Sequence, residues 1–404
     1  MTTTEPQLWN PAGCPVAHIQ DVIPGELPAG EHMAIIDRLR EASPVYVGDA
    51  AGNQYYLLTR MADIRKSYQA GQLFTNAAVT PNDPNPPYRW IPEMLDGKIH
   101  TDWRQLLTPL WSPGAVEKIK PKLRQRFAEV LDAIAAKGSC EFVSDVALLF
   151  PNVIFMDLMG LPREDADQFQ AWEVTILHSE RDAPGAAEAQ FAAMMEVVGY
   201  FSKLIEQRRA DPQADMISYV LGAKIDGEPI PTQDVLDFCL LMFMAGLDTV
   251  ASQLTYNFWH LATNPQDRER LLAEPQLWPS AIEEFLRFYS FVTPSRKLSH
   301  DTEVAGCPMK AGQMVMMPLV SANRDPLEFE NADKVIIDRE INRHLSFGAG
   351  PHRCLGSHLA REELLTAMTM WHERIPNYRI VPGTSVPEHG GQMGITSLHL
   401  EWDV

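Results

Sequence analysis

The stretch Phe347-Gly348-Ala349-Gly350-Pro351-His352-Arg353-Cys354-Leu355-Gly356, which we call the cysteine loop, decides the fold of this chain. It carries one cysteine and three glycines. The glycines permit a tight turn and a close approach of the backbone to a large flat group. Apolar residues at helical spacing begin at Leu355 and Leu359, so the pattern predicts a helix directly after Cys354. A thiolate at the N-terminus of such a helix is stabilised by unpaired backbone N–H groups.

A lone thiolate presented by a loop suits one strong axial bond to a haem iron. The cysteine loop resembles the haem-binding signature of the cytochrome P450 superfamily, Phe-x-x-Gly-x-x-x-Cys-x-Gly. Phe347, Gly350, Cys354 and Gly356 occupy its specified positions. The resemblance implies haem b as the cofactor, with Cys354 as the iron ligand and Phe347 beside the haem. The alternative is a buried structural cysteine in a glycine-rich turn.

A second motif interrupts the longest apolar run, which extends from Phe238 to Leu247 and ends at Asp248. An acid and an alcohol are costly to bury in an apolar helix, so Asp248-Thr249 needs a reason. The Thr249 hydroxyl is expected to bond the Ala245 carbonyl and bend the helix. Residues 245–249 resemble the family's oxygen-activation motif, which implies that Asp248 and Thr249 are catalytic and supply protons. The alternative is an N-cap-like Asp-Thr pair at a kink.

Four further residues resemble the family's haem-propionate contacts. His100 and Arg104 are four residues apart, so on a helix they share one face. Arg296 and His352 match the places of two more propionate donors. The segment Pro294-Ser295-Arg296 lacks the acid that camphor hydroxylases have in their Asp-Gly-Arg segment. For His100 and Arg104, the alternative is a solvated helix face.

Glu284 and Arg287 are three residues apart and share a helix face. The pattern Glu-x-x-Arg is common in helices. Its place 67 residues before Cys354 resembles the family's Glu-x-x-Arg pair. That resemblance implies a structural role in a buried ionic cluster with Arg339.

The segment Tyr88-Arg89-Trp90-Ile91-Pro92 resembles the bacterial camphor-hydroxylase subfamily, in which the tyrosine anchors the substrate. The alternative is a tyrosine that only packs its loop. Alignment with that subfamily adds five apolar pocket positions: Leu241, Met244, Phe291, Val292 and Met393. Their bulk predicts a small hydrophobic substrate, either terpenoid-like or aromatic.

Composition limits the possible functions. The net charge of -19 argues against nucleic acid and anionic membranes as partners. The five cysteines are widely spaced and odd in number, which predicts no disulfide framework and favours a reducing, cytoplasmic location. The ten-residue apolar run is too short to span a bilayer and predicts a buried helix. The N-terminus shows no signal peptide.

The pattern predicts one domain over residues 1–404, with residues 1–30 as an extended strap. The expected fold is mainly α with a smaller β-rich part, the cytochrome P450 fold. In it, haem lies between the long central helix and the helix after the cysteine loop. A hairpin is predicted at 45–47 and 55–58. Helices are predicted at 34–42, 61–70, 98–111, 115–137, 145–160, 164–179, 186–209, 232–264 and 278–289.

The resemblance implies a monooxygenase that uses O2 and two electrons. No flavin or iron–sulfur motif is present, so the expected partner is a 2Fe–2S ferredoxin with its NAD(P)H reductase. A local excess of basic residues predicts a docking patch, with a solvated helix face as the alternative. Its members are Lys98, Arg104, Lys118, Lys120, Lys122, Arg124 and Arg126. A peroxide-using relative and a non-catalytic haem sensor remain open as other functions.

Overall fold

The structure is a computed structural model that describes residues 8–23, 25–178, 185–389 and 394–404. It is mainly helical with small sheets, as predicted. The α-helices of the described residues are Ile19–Val22, Glu31–Ala42, Met61–Gln69, Gly97–Leu107, Pro113–Ile134, Leu149–Met159, Ala166–Glu173, Ala186–Ala210, Met216–Leu221, Thr232–Gly246, Asp248–Thr263, Pro265–Ala273, Trp278–Phe288, Leu319–Asn323 and Ser357–Arg374.

The largest sheet has five strands and joins residues 45–75 to residues 295–316. Its spatial order is Val45–Ala50, Asn53–Leu58, Met314–Met316, Ser295–Leu298 and Phe74–Thr75. The first two strands form the predicted hairpin, with Ala51 and Gly52 at positive φ in the turn. The smaller sheets use Leu27–Pro28, Ser139–Glu141, Lys224–Ile225, Glu228–Pro229, Thr302–Val304, Cys307–Met309, Arg379–Ile380, Pro387–His389, Gly394–Ile395 and His399–Glu401.

The central helix consists of Thr232–Gly246 and Asp248–Thr263, with a break at Leu247. Its apolar side chains, including Phe238 and Phe243, are buried, which confirms the predicted core position. It is also the one stretch in the described ranges that is long and apolar enough to cross a bilayer, and 67% of its most apolar window is buried. The helix Ser357–Arg374, which we call the cysteine helix, packs against the second half of the central helix.

Several elements differ from the sequence prediction. The N-terminal strap is interrupted by the helical turn Ile19–Val22, and its first seven residues lie outside the described ranges. The helix predicted at 232–264 is broken at Leu247, because the Thr249 side chain bonds the helix backbone there. The sequence prediction does not include the helices Met216–Leu221, Pro265–Ala273 and Leu319–Asn323. The first and last have only six and five residues, too few to show a clear apolar period.

One sequence prediction is wrong. Cys14 and Cys307 form a disulfide, although their spacing of 293 residues gave no sign of a pair. The strap lies beside the large sheet, where Ala17 N donates to Val47 O at 3.0 Å. That placement brings Cys14 to the strand Cys307–Met309, with 6.2 Å between the two Cα atoms.

Candidate active site

The cysteine loop is closed by backbone bonds that only its glycines permit. Gly348 and Gly350 have φ values of +66° and +69°. A Cβ on Gly350 would lie 2.6 Å from the carbonyl oxygen of Tyr68, so no larger residue fits. Cys354 N donates to Phe347 O at 2.8 Å, which ties the two ends of the loop together. The cysteine helix begins at Ser357, slightly later than predicted, with Gly356 at its N-cap.

The Cys354 thiol is accessible to solvent, yet it is surrounded by protein on several sides. That desolvation raises the pKa of Cys354, against the opposing effects of the Gly356 N–H and the Arg104 charge. A bound metal ion removes the thiol proton outright. The loop therefore presents a thiol that is poised to become a thiolate when it binds a metal.

The Phe347 ring packs against the guanidinium group of Arg361. The Arg361 guanidinium lies 4.5 Å from the centre of the Phe347 ring. Arg361 also donates two bonds to Glu283, at 2.5 and 2.8 Å, and His344 Nε2 lies 3.1 Å from Glu283 Oε2. Burial would raise the pKa of Glu283, but the bonds from Arg361 and His344 outweigh it and lower the pKa to about 2. This cluster anchors the start of the cysteine loop.

The break in the central helix places the predicted acid and alcohol side by side. Thr249 Oγ1 donates to Ala245 O at 3.2 Å, as expected. Asp248 is 1% exposed, and Ser252 Oγ lies 3.5 Å from its Oδ1. Ala245 and Gly246 are exposed, and a Cβ on Gly246 would lie 2.9 Å from Phe155 Cδ2. The helix thus presents bare backbone and one hydroxyl at the break.

His100 and His352 come together as a stacked pair. Their ring centres are 3.8 Å apart and the planes differ by 21°. Burial lowers the pKa of His100 to about 4, and the positive charges of His352 and Arg104 add to that effect. His100 is therefore a neutral N–H donor near pH 7 rather than a second cation.

Arg104 and Arg296 supply positive charge next to these rings. Arg104 is half-buried, burial lowers its pKa, and the described residues include no ion-pair partner for it. Arg296 is buried, with its guanidinium 5.4 Å from the Tyr68 ring centre and 3.8 Å from Glu93. Glu93 thus places a carboxylate near Arg296 from a distant segment. The segment Pro294-Ser295-Arg296 itself has no acid.

Asp96 is a residue of the site that sequence reasoning missed. Its Oδ1 lies 3.3 Å from His352 Nε2, and Asn76 donates to both carboxylate oxygens at 2.8 and 3.1 Å. Burial would raise the pKa of Asp96, but the bonds from His352 and Asn76 lower it. Asp96 therefore orients His352. Asp96 directly precedes the helix Gly97–Leu107, where aspartate is common as an N-cap residue, so its place in the sequence does not indicate a contact with His352.

These residues fit a haem. A flat group with two carboxylates needs a thiolate on one face, bare backbone on the other and donors at one edge. Cys354 supplies an accessible thiol, and Ala245 and Gly246 supply exposed small residues at the break of the central helix. The stacked histidines, Arg104 and Arg296 supply the donors; Arg104 is desolvated, feels the Glu93 charge, and has no ion pair in contact with it among the described residues. Such an arginine fits a ligand carboxylate well.

Glu284 lies at the centre of a buried ionic cluster. Arg287 donates to its two oxygens at 2.7 and 2.8 Å, and Arg339 Nε donates at 2.9 Å. Ile336 N and Asn342 Nδ2 also donate to the carboxylate, at 2.8 and 3.1 Å. The cluster links the helix Trp278–Phe288 to the segment that leads into the cysteine loop.

The expected substrate contacts are less closely grouped. Tyr88 is 38% exposed and packs on Trp90, while Arg89 pairs with Asp234 at 2.6 Å and so joins this loop to the central helix. Leu241 and Met244 lie on that helix just before the break. Phe291 is buried against Tyr256, and Val292 packs on the core. Met393 lies outside the described residues.

The basic residues predicted to dock a partner are mostly paired with acids. Lys98 binds Asp102 and Asp226, Lys120 binds Glu117 and Glu362, and Lys122 approaches Asp157. Arg126 is buried and bonds Asp157 and Glu129, so it is not part of an exposed patch. Lys118 and Arg124 are exposed, and they have no ion-pair partner among the residues that the structure describes.

Comparison with known proteins agrees with this geometry. The cytochrome P450 family profile matches residues 92–374. The chain is 34% identical over 363 residues to the probable cytochrome P450 127A1 of Sinorhizobium fredii (strain NBRC 101917 / NGR234), covering 89% of this chain and 86% of that protein. It is 30% identical over 379 residues to the mycinamicin IV hydroxylase/epoxidase of Micromonospora griseorubida, covering 90% and 94%. The crystal structure of CYP101J2 matches with a TM-score of 0.87 at 27% identity, covering 99% of this chain and 100% of that chain.

The family profile covers more than half of the chain, including the central helix and the cysteine loop. Two relatives at 30% identity or more are matched over nearly their whole length. The chain therefore belongs to the cytochrome P450 family, and it is a haem-thiolate monooxygenase.

Proposed function

We propose that this enzyme hydroxylates a small hydrophobic compound, terpenoid-like or aromatic, using O2 and two electrons from a 2Fe–2S ferredoxin. The observation that carries the proposal is the break in the central helix, where Asp248 and Thr249 lie side by side. Haem, when bound, supplies the iron at which dioxygen is reduced. We propose that Cys354 holds that iron and that His100, Arg104, Arg296 and His352 hold the propionates.

The proposed role of Asp248 and Thr249 is proton supply. The Thr249 hydroxyl donates a hydrogen bond to Ala245 O, so its oxygen can accept a further hydrogen bond. Asp248, the preceding residue, is buried at the same turn, and we propose it as the acid that relays protons from solvent. A peroxide-using enzyme does not need this pair, which is why we favour the O2-dependent reaction.

Replacing Thr249 by alanine tests this role. The variant is expected to keep haem and substrate binding but to convert a larger part of its consumed NADH into hydrogen peroxide. Thr263→Ala, at the far end of the same helix, is the matched control, because Thr263 also donates to a helix carbonyl. Equal peroxide yields from the two variants would contradict the role proposed for Thr249.

The substrate class rests on the apolar side chains next to the break. Leu241 and Met244 precede it on the central helix, and we propose that Phe291, Val292 and Met393 complete the pocket. We further propose that Tyr88 anchors an oxygen atom of the substrate; burial raises the pKa of Tyr88, so its hydroxyl stays a donor. Spin-state titration with small terpenoids and aromatics identifies ligands, and Tyr88→Phe should weaken only the oxygenated ones.

A place near the camphor-hydroxylase subfamily is supported by two structural neighbours. CYP101J2 and CYP101C1 match with TM-scores of 0.87 and 0.86, both at 27% identity. The N-terminal hairpin and the strands Ser295–Leu298 and Met314–Met316 share one sheet, which supports a single domain. The core position of the central helix supports an enzyme without membrane contact. The Cys14–Cys307 disulfide does not support the reducing, cytoplasmic location predicted from the cysteine spacing.

Ferredoxin docking is proposed on the exposed face of the helix Pro113–Ile134. Acids neutralise most of the basic residues there, which leaves Lys118 and Arg124 as the cations available to an acidic partner. Lys118→Glu and Arg124→Glu should slow reduction by ferredoxin and weaken its dependence on ionic strength. Lys203→Glu, an exposed lysine on the helix Ala186–Ala210, is the control. A solvated face without a docking role would make all three variants alike.

A further inference from the structure

Tyr289 belongs to a buried hydrogen-bond chain that the proposed proton supply does not use. Its hydroxyl lies 2.6 Å from His260 Nδ1, and His260 Nε2 lies 2.9 Å from Asp267 Oδ2. A carboxylate only accepts, so His260 carries its proton on Nε2 and accepts from the tyrosine at Nδ1. Tyr289 therefore has a base in place to receive its proton.

A row of aromatic rings joins Tyr289 to the pocket side of the core. The Tyr256 ring stacks on Tyr289 with 5.5 Å between centres and 9° between planes. Phe291, one of the expected pocket residues, lies 6.3 Å from Tyr256. On the other side Trp259, which is only partly buried, lies 5.9 Å from Tyr289. The row thus runs from Phe291, which we propose lines the pocket, to Trp259, which is partly exposed to solvent.

We propose that Tyr289, with His260 as its proton acceptor, is a redox-active residue that reduces the haem centre when this centre is oxidised without a substrate. One electron passes from Tyr289 through Tyr256 to the oxidised haem centre. The hydroxyl proton moves to His260 Nδ1, so a neutral tyrosyl radical and an imidazolium remain. An external one-electron donor such as ascorbate then restores the tyrosine as the proton returns.

The proton acceptor is what makes this oxidation possible inside the core. A phenol that loses an electron becomes a cation, and an isolated charge is costly to bury. Transfer to His260 moves that charge beside Asp267, where an ion pair forms. Asp267 is partly exposed, so the new charge pair is also close to solvent.

Tyr378 provides a matched comparison within the same core. It too lies next to a histidine, with 3.1 Å from its hydroxyl to His372 Nε2. The other nitrogen of His372 donates to the Met368 carbonyl, and burial lowers the pKa of His372 to about 3. The Arg268 guanidinium lies 4.6 Å from the Tyr378 ring centre, and this cation opposes the loss of an electron. At Tyr289 the charge of Arg324 acts in the same sense, but the charge of Asp267 opposes it. Tyr378 is therefore expected to stay reduced.

The test mixes the substrate-free holoenzyme with hydrogen peroxide, freezes it rapidly and records electron paramagnetic resonance. The wild type should give a tyrosyl signal that narrows when the protein carries ring-deuterated tyrosine. Tyr289→Phe should lose most of that signal, while Tyr378→Phe should keep it. Both variants retain their rings, so core packing is preserved. Absence of a tyrosyl signal in the wild type, or equal signals in both variants, would overturn the proposal.

A second measurement tests the base and the protective role. His260→Gln keeps an acceptor for the hydroxyl but cannot hold the proton, so its radical yield should fall. Loss of the haem absorbance during peroxide treatment should be faster in Tyr289→Phe than in Tyr378→Phe. If His260→Gln does not fold, the radical signals and haem-loss rates of Tyr289→Phe and Tyr378→Phe still test the proposal. Equal haem loss in those variants would show that Tyr289 protects nothing and would overturn the protective role.

Discussion

Replacing Glu284 by alanine tests the idea that a buried charge cluster supports the cysteine loop. The Glu284 carboxylate accepts bonds from Arg287 and Arg339, and both Glu284 and Arg287 have 0% exposed side chains. Without Glu284, the hydrogen-bond partners left to Arg287 among the described residues are the carbonyls of Asn323, Ala332 and Lys334. Its charge is then buried without a counter-charge in contact.

The expected loss is large compared with the stability of a domain. Stranding one partner of a buried ion pair costs about 3–5 kcal/mol. The free energy of unfolding of a natural domain is about 5–15 kcal/mol, so the variant should retain little haem and unfold at much lower urea concentration. The measurements are urea unfolding and the carbon-monoxide difference spectrum of the reduced protein.

Glu274 offers the matched control, because it also forms a helical Glu–Arg pair. Its bond to Arg270 is 3.1 Å, but the two side chains are 43% and 41% exposed. An exposed pair of this kind contributes about 0.3–0.5 kcal/mol. Glu274→Ala should therefore behave like the wild type, and a similar loss of stability in both variants would refute the reasoning.

Three further predictions concern other parts of the scaffold. Arg104→Ala should release haem to apomyoglobin faster than the wild type, whereas the exposed control Arg209→Ala should not. Glu283→Gln should lower the free energy of unfolding near pH 7. Because the folded pKa of Glu283 is depressed to about 2, this difference is present above the unfolded pKa and should shrink as the pH falls from about 4.5 to about 2; a constant difference would contradict the assignment. The Cys14–Cys307 disulfide closes a loop of 293 residues, worth at most about 5–6 kcal/mol in the loop-closure model. Dithiothreitol should therefore lower the unfolding midpoint of the wild type but not of Cys14→Ser, and thiol titration in denaturant should find three thiols before reduction and five after.

The sequence predicted the features that local chemistry determines. The glycines around Cys354 and the acid–alcohol pair at Asp248 each violate an ordinary local preference, and such violations are visible in a sequence. The bond from Thr249 to Ala245 follows from a spacing of four residues on one helix. The hairpin likewise follows from the apolar runs at 45–47 and 55–58, and its two-residue turn is Ala51-Gly52.

The features that escaped prediction depend on contacts between distant segments. Asp96 meets His352 across 256 residues, and Glu93 meets Arg296 across the sheet. The basic residues around Arg126 form an apparent patch in the sequence because some of the acids that neutralise them come from other helices. Asp157 of the helix Leu149–Met159 is one such acid. Composition along one segment cannot show which charges the fold brings to it.

The position of the thiolate is set largely by one turn of the helix Trp278–Phe288. Glu283 on this turn holds Arg361, which packs on Phe347 at the start of the cysteine loop. The next residue, Glu284, holds Arg339 in the segment that leads into the loop. Two adjacent carboxylates thus fix the loop from two directions, and among the described residues neither carboxylate forms a hydrogen bond with Cys354. The placement of the sulfur therefore depends on these charge pairs, of which the Glu284 pairs are buried and the Glu283 pair is partly exposed.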